Sequence, residues 1–311
     1  MRILVVGAGA IGGYFGGRLL AAGRDVTFLV RPRRAELLAQ GGVVVRSQLG
    51  DLDLPNPPTV TADGIRDSFD LIILSCKAYD LDGAIEAIAP AVGPETSILP
   101  LLNGMAHIDR LVERFGEKPV LGGLCVISTS LAQDGHIIHH NDLHFLAFGE
   151  RDGSVSYRTE AVAAELGLGG FDVKLSTEIL QGMWEKWVFI ANAAGITCLM
   201  RAAAGDIAAA GGNYLTIALL EECRTIATRS GFPPSEESIE RARKMFTEAG
   251  SPLMASMLRD VERGGPIEAE PIIGDLLRRG GDPEDYPLLR IVNVHLKAYE
   301  ARRAREGSAA G

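Results

Sequence analysis

Three groups of residues in this chain have types and spacings suited to chemistry. The first is Gly7-Ala8-Gly9-Ala10-Ile11-Gly12, directly after the apolar run Ile3-Leu4-Val5-Val6 and ahead of a helical pattern. Gly7 allows a sharp turn off a strand. Gly9, without a Cβ, lets a pyrophosphate approach the backbone, and Gly12 lets the helix lie close to the sheet. Free N–H groups and the positive end of the helix dipole then hold phosphate. The second group is Arg31-Pro32-Arg33-Arg34, at the end of a second apolar run, Val26 to Val30. NAD-binding folds usually carry Asp or Glu at that point to hold the ribose 2′-hydroxyl. Here no carboxylate lies between Asp25 and Glu36, and guanidinium forks suit a 2′-phosphate. The expected cofactor is therefore NADP(H) over NAD(H), although a solvated basic loop has the same composition. The third group is Lys186, a charge inside a helical pattern that is nearly all apolar from Lys186 to Met200, with Trp184 and Trp187 beside it. Such a lysine either snorkels to water or is held for a purpose.

Further polar residues stand at the ends of expected elements. Lys77 follows the buried strand pattern Leu71 to Cys76, and Asn103 follows Ser97 to Leu102. In an open parallel sheet, ligands collect beyond the carboxyl ends of the strands, so both would face the nicotinamide half of a bound cofactor. A solvated lysine and a turn asparagine before glycine are the plainer readings. Ser256 and Asp260 share one helical face, and Glu268 opens a helix after Gly264-Gly265-Pro266, where acids are common for dipole reasons. His136, His139, His140 and His144 lie in one stretch, but strand alternation would split them between faces, so no metal site is expected.

The elements that must position these residues follow from pattern. Residues 1–172 alternate apolar runs with helical periodicity, including strands over Val120–Ser130 and His136–Phe148 around a Gln133-Asp134-Gly135 turn. This predicts an α/β Rossmann domain, a doubly wound parallel sheet with antiparallel additions. Residues 173–303 show helical periodicity and almost no strand signal, predicting an all-helical domain for substrate binding and dimerisation, and 304–311 a flexible tail. Ile207 to Cys223, rich in small and aliphatic residues, would be either a homodimer surface or core.

Composition narrows the class. The 311 residues are 47% hydrophobic with a net charge of −9, which suits an ordinary globular protein and not a nucleic-acid-binding surface. No apolar run is long enough for a membrane span. The four cysteines have no CxxC spacing and the first strand begins at Met1 without a cleavable signal, so a cytoplasmic location with reduced thiols is expected.

Taken together, Gly7 to Gly12, Arg31, Lys77-Ala78, Asn103-Gly104-Met105, Trp184-Glu185-Lys186, Ser256-Met257-Leu258 with Asp260, and Glu268 resemble the ketopantoate reductase (2-dehydropantoate 2-reductase) family over about residues 1–300. The resemblance implies NADPH-dependent reduction of a 2-oxo acid to a 2-hydroxy acid, in that family a step of pantothenate biosynthesis. It implies Lys186 as general acid, Glu268 as active-site carboxylate, Asn103 and Ser256 as substrate contacts, and Arg31, Lys77 and Asn103 in the cofactor site. The family's asparagines four and eight residues after the lysine are Ile190 and Ala194 here, which implies a more apolar pocket and a bulkier or less hydroxylated 2-oxo acid. A dinucleotide sensor without turnover and a related 3-hydroxyacid dehydrogenase are the competing readings.

Overall fold

The computed structural model describes residues 1–309, with side chains through Gly307. The chain forms two compact units, one of Met1–Leu102 with His107–Ile179, the other of Asn103–Ala106 with Leu180 onward.

The first unit holds ten strands and five helices: β1 (Arg2–Val6), α1 (Ala10–Ala21), β2 (Asp25–Leu29), α2 (Pro32–Gly41), β3 (Val43–Arg46), β4 (Leu52–Leu54), β5 (Thr59–Val60), β6 (Leu71–Leu74), α3 (Leu81–Ile88), β7 (Ser97–Pro100), α4 (Ala106–Phe115), β8 (Gly122–Leu131), β9 (Ile137–Gly149), α5 (Tyr157–Leu166) and β10 (Asp172–Leu175). Five strands form a wholly parallel sheet in the order β5-β2-β1-β6-β7. The order reverses beside β1, which is the switch point at which such sheets bind ligands. The expected antiparallel pairing, β8 with β9, lies in a second, mixed sheet of its own, β10-β9-β3-β4, where β3–β4 is also antiparallel and β10–β9 and β9–β3 are parallel.

Helix α1 packs on both sheets. Its sequence makes this possible. A Cβ at Gly16 would stand 2.7 Å from the Phe28 ring of β2, and one at Gly13 would stand 2.4 Å from Ile137 of β9. Glycine in a helix costs about 1 kcal/mol against alanine, offset here by contact on two sides. The core around it includes Ile3, Val5, Phe15, Phe28, Leu71, Ile137, Phe148 and Leu166, all fully buried.

The second unit is helical: α6 (Ile179–Met200, whose first residue belongs to the first unit), α7 (Ala204–Ala209), α8 (Asn213–Arg229), α9 (Glu236–Thr247), α10 (Ser256–Glu262), α11 (Asp275–Gly280) and α12 (Pro287–Ala309). A five-residue π-helical turn, Glu270–Gly274, leads into α11. The expected boundary at 172/173 falls inside β10, whose four residues are too short to stand out in the sequence. The tail expected from 304 is helical as far as Ala309, and residues 310 and 311 lie outside the described residues. Ile207, Leu219, Leu220 and Cys223 are buried inside this unit, while Tyr214 in the same stretch is 70% exposed.

Candidate active site

The glycine turn joins β1 to α1. Gly7 has φ +92°, a conformation that costs a side chain, and its N–H donates to the Leu29 carbonyl at 2.9 Å. Gly12 could not carry a Cβ, since one would lie 2.2 Å from both the Gly7 carbonyl oxygen and Ser75 Oγ. Ser75 Oγ, at the end of β6, donates to the Val6 carbonyl at 2.8 Å and fixes the turn from the neighbouring strand. At Gly9 a Cβ would meet no atom within 4 Å, so the space ahead of the helix is open. The first turn of α1 has no acidic residue. These features fit a bound pyrophosphate.

The three guanidiniums after β2 have separate fates. Arg34 donates to the Ala8 carbonyl at 2.8 and 3.2 Å and to the Gly135 carbonyl at 3.3 Å, so it braces the glycine turn from behind. Its burial holds its pKa below the ordinary arginine value. Arg33 is exposed. Arg31, at the N-cap of α2, is ion-paired with Asp80, and hydrogen bonding to that carboxylate holds its pKa above the ordinary value. Asp80 and Ser75 carry no sequence signal of this kind, because single polar residues after a strand are common. Lys77 is exposed, immediately after β6 and at the start of a short 3₁₀ turn.

In the second unit, α6 organises the other candidate residues. Lys186 is half-buried and, among the described residues, has no hydrogen-bond or ion-pair partner. Trp184 and Trp187 flank it with ring centroids 4.9 Å apart, and Trp184 stacks on Phe232 at 5.6 Å. Trp187 Nε1 donates to the Ile272 carbonyl at 2.9 Å, which ties the helix one residue from Lys186 to the π-helical turn after Glu268. Glu268 is buried at 8% exposure just ahead of that turn. Gly104, with φ +80°, approaches the Pro271 carbonyl so closely that a Cβ would be 2.4 Å away, with the Trp187 ring at 3.7 Å. The chain on either side of Asn103 and Glu268 thus meets at Trp187, the residue after Lys186, and Asn103 is itself half-buried.

Ser256 reaches the same helix further along. It is the first residue of α10, and the Ala255 N–H before it donates to Thr197 Oγ1 at 3.4 Å. Thr197 lies eleven residues after Lys186, about three turns on and on the same face. Ile190, half-buried, and Ala194, buried, lie along the stretch between. Asn192 is fully buried, and neither its side-chain nitrogen nor its oxygen has a partner. It replaces neither missing asparagine.

The histidines of β9 serve the first unit. Tyr14 Oη lies 3.0 Å from His144 Nδ1, Ser47 Oγ lies 2.9 Å from His139 Nδ1, and His139 Nε2 lies 3.0 Å from the Leu143 carbonyl. His139 and His144 stack on one side, contrary to strict alternation, because β9 takes five residues from 139 to 144 against two on β8, between Thr129 and Ile127. Among the described residues, no group of three or more His, Cys, Asp or Glu could hold a metal.

The chain thus combines a parallel sheet carrying a glycine turn at its switch point with a helical unit holding a part-buried lysine. Residues 3–153 match the model of ketopantoate reductase PanE/ApbA, and residues 178–300 match its C-terminal model. The chain belongs to the ketopantoate reductase family, an oxidoreductase family that uses NAD(P)H. It is 36% identical over 305 residues to the uncharacterized oxidoreductase YkpB of Bacillus subtilis (strain 168), covering 97% of this chain and 100% of that one. It is 25% identical over 286 residues to a 2-dehydropantoate 2-reductase of Nostoc sp., covering 89% and 88%. The crystal structure of 2-dehydropantoate 2-reductase from Methylococcus capsulatus superposes with a TM-score of 0.85 at 28% identity, covering 97% and 98%. No helix among the described residues is long and apolar enough to cross a membrane.

Proposed function

We propose that this protein reduces a 2-oxo acid to the 2-hydroxy acid with NADPH, and that Lys186 is the general acid. The observation that supports the reading is the half-buried Lys186, without a hydrogen-bond or ion-pair partner among the described residues and next in sequence to Trp187, which meets both Gly104, after Asn103, and the Ile272 carbonyl, after Glu268. The glycine turn, Arg31 and Lys77 would hold the nucleotide. When bound, its nicotinamide supplies a hydride to the substrate carbonyl carbon. Negative charge then grows on the carbonyl oxygen, where the Lys186 ammonium stabilises it and gives up a proton. Glu268 orients that ammonium or accepts from a substrate hydroxyl. The Asn103 amide and Ser256 hydroxyl donate to the substrate carboxylate. Ile190 and Ala194 offer no hydrogen bond to a hydroxylated side chain, which favours a bulkier or less hydroxylated 2-oxo acid over ketopantoate.

A panel of 2-oxo acids with NADPH, followed by loss of nicotinamide absorbance, tests the activity. Turnover of at least one 2-oxo acid is expected, and Lys186→Ala should lower the rate by roughly 10²–10⁴ while NADPH still binds. Near-normal turnover in that variant would remove Lys186 from the chemistry. Binding without oxidation across the whole panel would instead point to a nucleotide sensor.

A further inference from the structure

We propose that Asp80 is a cofactor-discriminating residue: its carboxylate is the resting counter-ion of Arg31, competes with a ribose 2′-phosphate for that guanidinium, and so narrows the preference for NADPH over NADH. The inference rests on the reading that the carboxyl edge of the parallel sheet takes NAD(P)H.

Its basis is the geometry of one ion pair. Arg31 follows β2 and Asp80 follows β6, and these strands lie on either side of β1. The pair thus bridges the loops on both sides of the glycine turn, at the edge where the adenosine ribose would lie. Asp80 is the N-cap residue of α3, a position where aspartate ordinarily accepts from an N–H of its own helix. It makes no such bond, and its carboxylate turns to Arg31 instead. The Arg31 side chain is 78% exposed and that of Asp80 34%, so the pair can open without stranding a buried charge. Arg34 is already committed to the Ala8 and Gly135 carbonyls and cannot take over.

A 2′-phosphate arriving at Arg31 must either displace Asp80 or sit as a dianion beside it, and both weaken binding. A 2′-hydroxyl meets the opposite situation. It is a donor, and Asp80 can accept from it, as the acid at the end of the second strand does in NAD-binding folds. One carboxylate therefore disfavours the phosphorylated nucleotide and assists the other.

The test measures dissociation constants for NADPH and NADH, by calorimetry, on wild type, Asp80→Asn and Asp82→Asn. Asp82 is a nearby exposed acid paired with Arg110, and it controls for general charge. Asp80→Asn should raise the NADPH-over-NADH affinity ratio by roughly three- to tenfold at low salt, with a smaller gain at high salt. Asp82→Asn should leave the ratio unchanged. An unchanged ratio in Asp80→Asn, or an equal change in Asp82→Asn, overturns this inference and leaves the cofactor reading standing. Failure of wild type to bind either nucleotide overturns both.

Discussion

Along α6, Lys186, Ile190 and Thr197 share one helical face, with Ala194 at its margin, so the groups beside the ammonium are aliphatic until the Thr197 hydroxyl. Asparagine at 190 and 194 would restore two donor–acceptor groups at that stretch. The double variant Ile190→Asn/Ala194→Asn should shift kcat/KM toward small hydroxylated 2-oxo acids by roughly 10-fold or more relative to aliphatic ones, measured as a ratio on paired substrates. A constant ratio would show that these positions do not read the substrate. Residue types single out several of the candidate positions. A lysine in an apolar helix and a glycine fingerprint between two strands are conspicuous because each breaks a local rule. Asp80 and Ser75, and the bracing contact of Arg34, were not legible, since each acts through a partner 26 to 69 residues away and no local rule is broken by its presence.

At the scale of elements, α1 shows how far pattern alone reaches. Its position after β1 follows from the glycine turn, but the need for Gly13 lies in Ile137 of the second sheet, on the side of the helix away from the Phe28 ring that Gly16 admits. The expected single sheet is two for a related reason: β3, β4 and β10 are three or four residues long and leave little periodicity to read. Two glycines give opposite predictions. Gly12→Ala drives a Cβ into the Gly7 carbonyl and should destabilise the protein by roughly 3 kcal/mol or more, read from chemical denaturation. Gly83→Ala, on an exposed face of α3 where a Cβ meets nothing within 4 Å, should stabilise it by about 0.5–1 kcal/mol.

The junction of β9 and α5 makes a prediction in pH. Glu150 accepts from Arg158 at 2.7 and 2.5 Å and from Ser156 Oγ, the N-cap of α5, at 2.6 Å. Hydrogen bonding to the Arg158 guanidinium, with a further contribution from Ser156, holds the Glu150 carboxyl below its ordinary value. A carboxyl lowered on folding contributes stability above the unfolded-state pKa and loses it as the pH falls through the folded-state value. Glu150→Gln should therefore cost about 1–3 kcal/mol at neutral pH. The gap from wild type should close in acid below the usual glutamate range, as a pH series of denaturation midpoints would show.

At the scale of the whole molecule, no disulfide joins the four cysteines among the described residues, with Cys76 half-buried and Cys125, Cys198 and Cys223 buried. Burial pushes the Cys198 thiol up to about 12 and raises that of Cys223 as well. A thiol-reactive chromophore should thus label the native protein at Cys76 first, with the other three reacting only at the rate of unfolding. Simultaneous labelling of all four under native conditions would contradict this burial.

The backbone passes from one unit to the other after Leu102, again after Ala106 and again after Ile179. A protease nick at any single junction therefore parts the chain in two but leaves some of each unit peptide-bonded to some of the other. A gene truncated to residues 180–309 would encode helices lacking their four-residue splint, with the Pro271 carbonyl and the Trp187 edge uncovered where Gly104 had rested against them. Dissection into separately expressed halves is barred by the order of the chain, and any shuffled or fused derivative has to carry the Asn103–Ala106 splint along with the helices it serves.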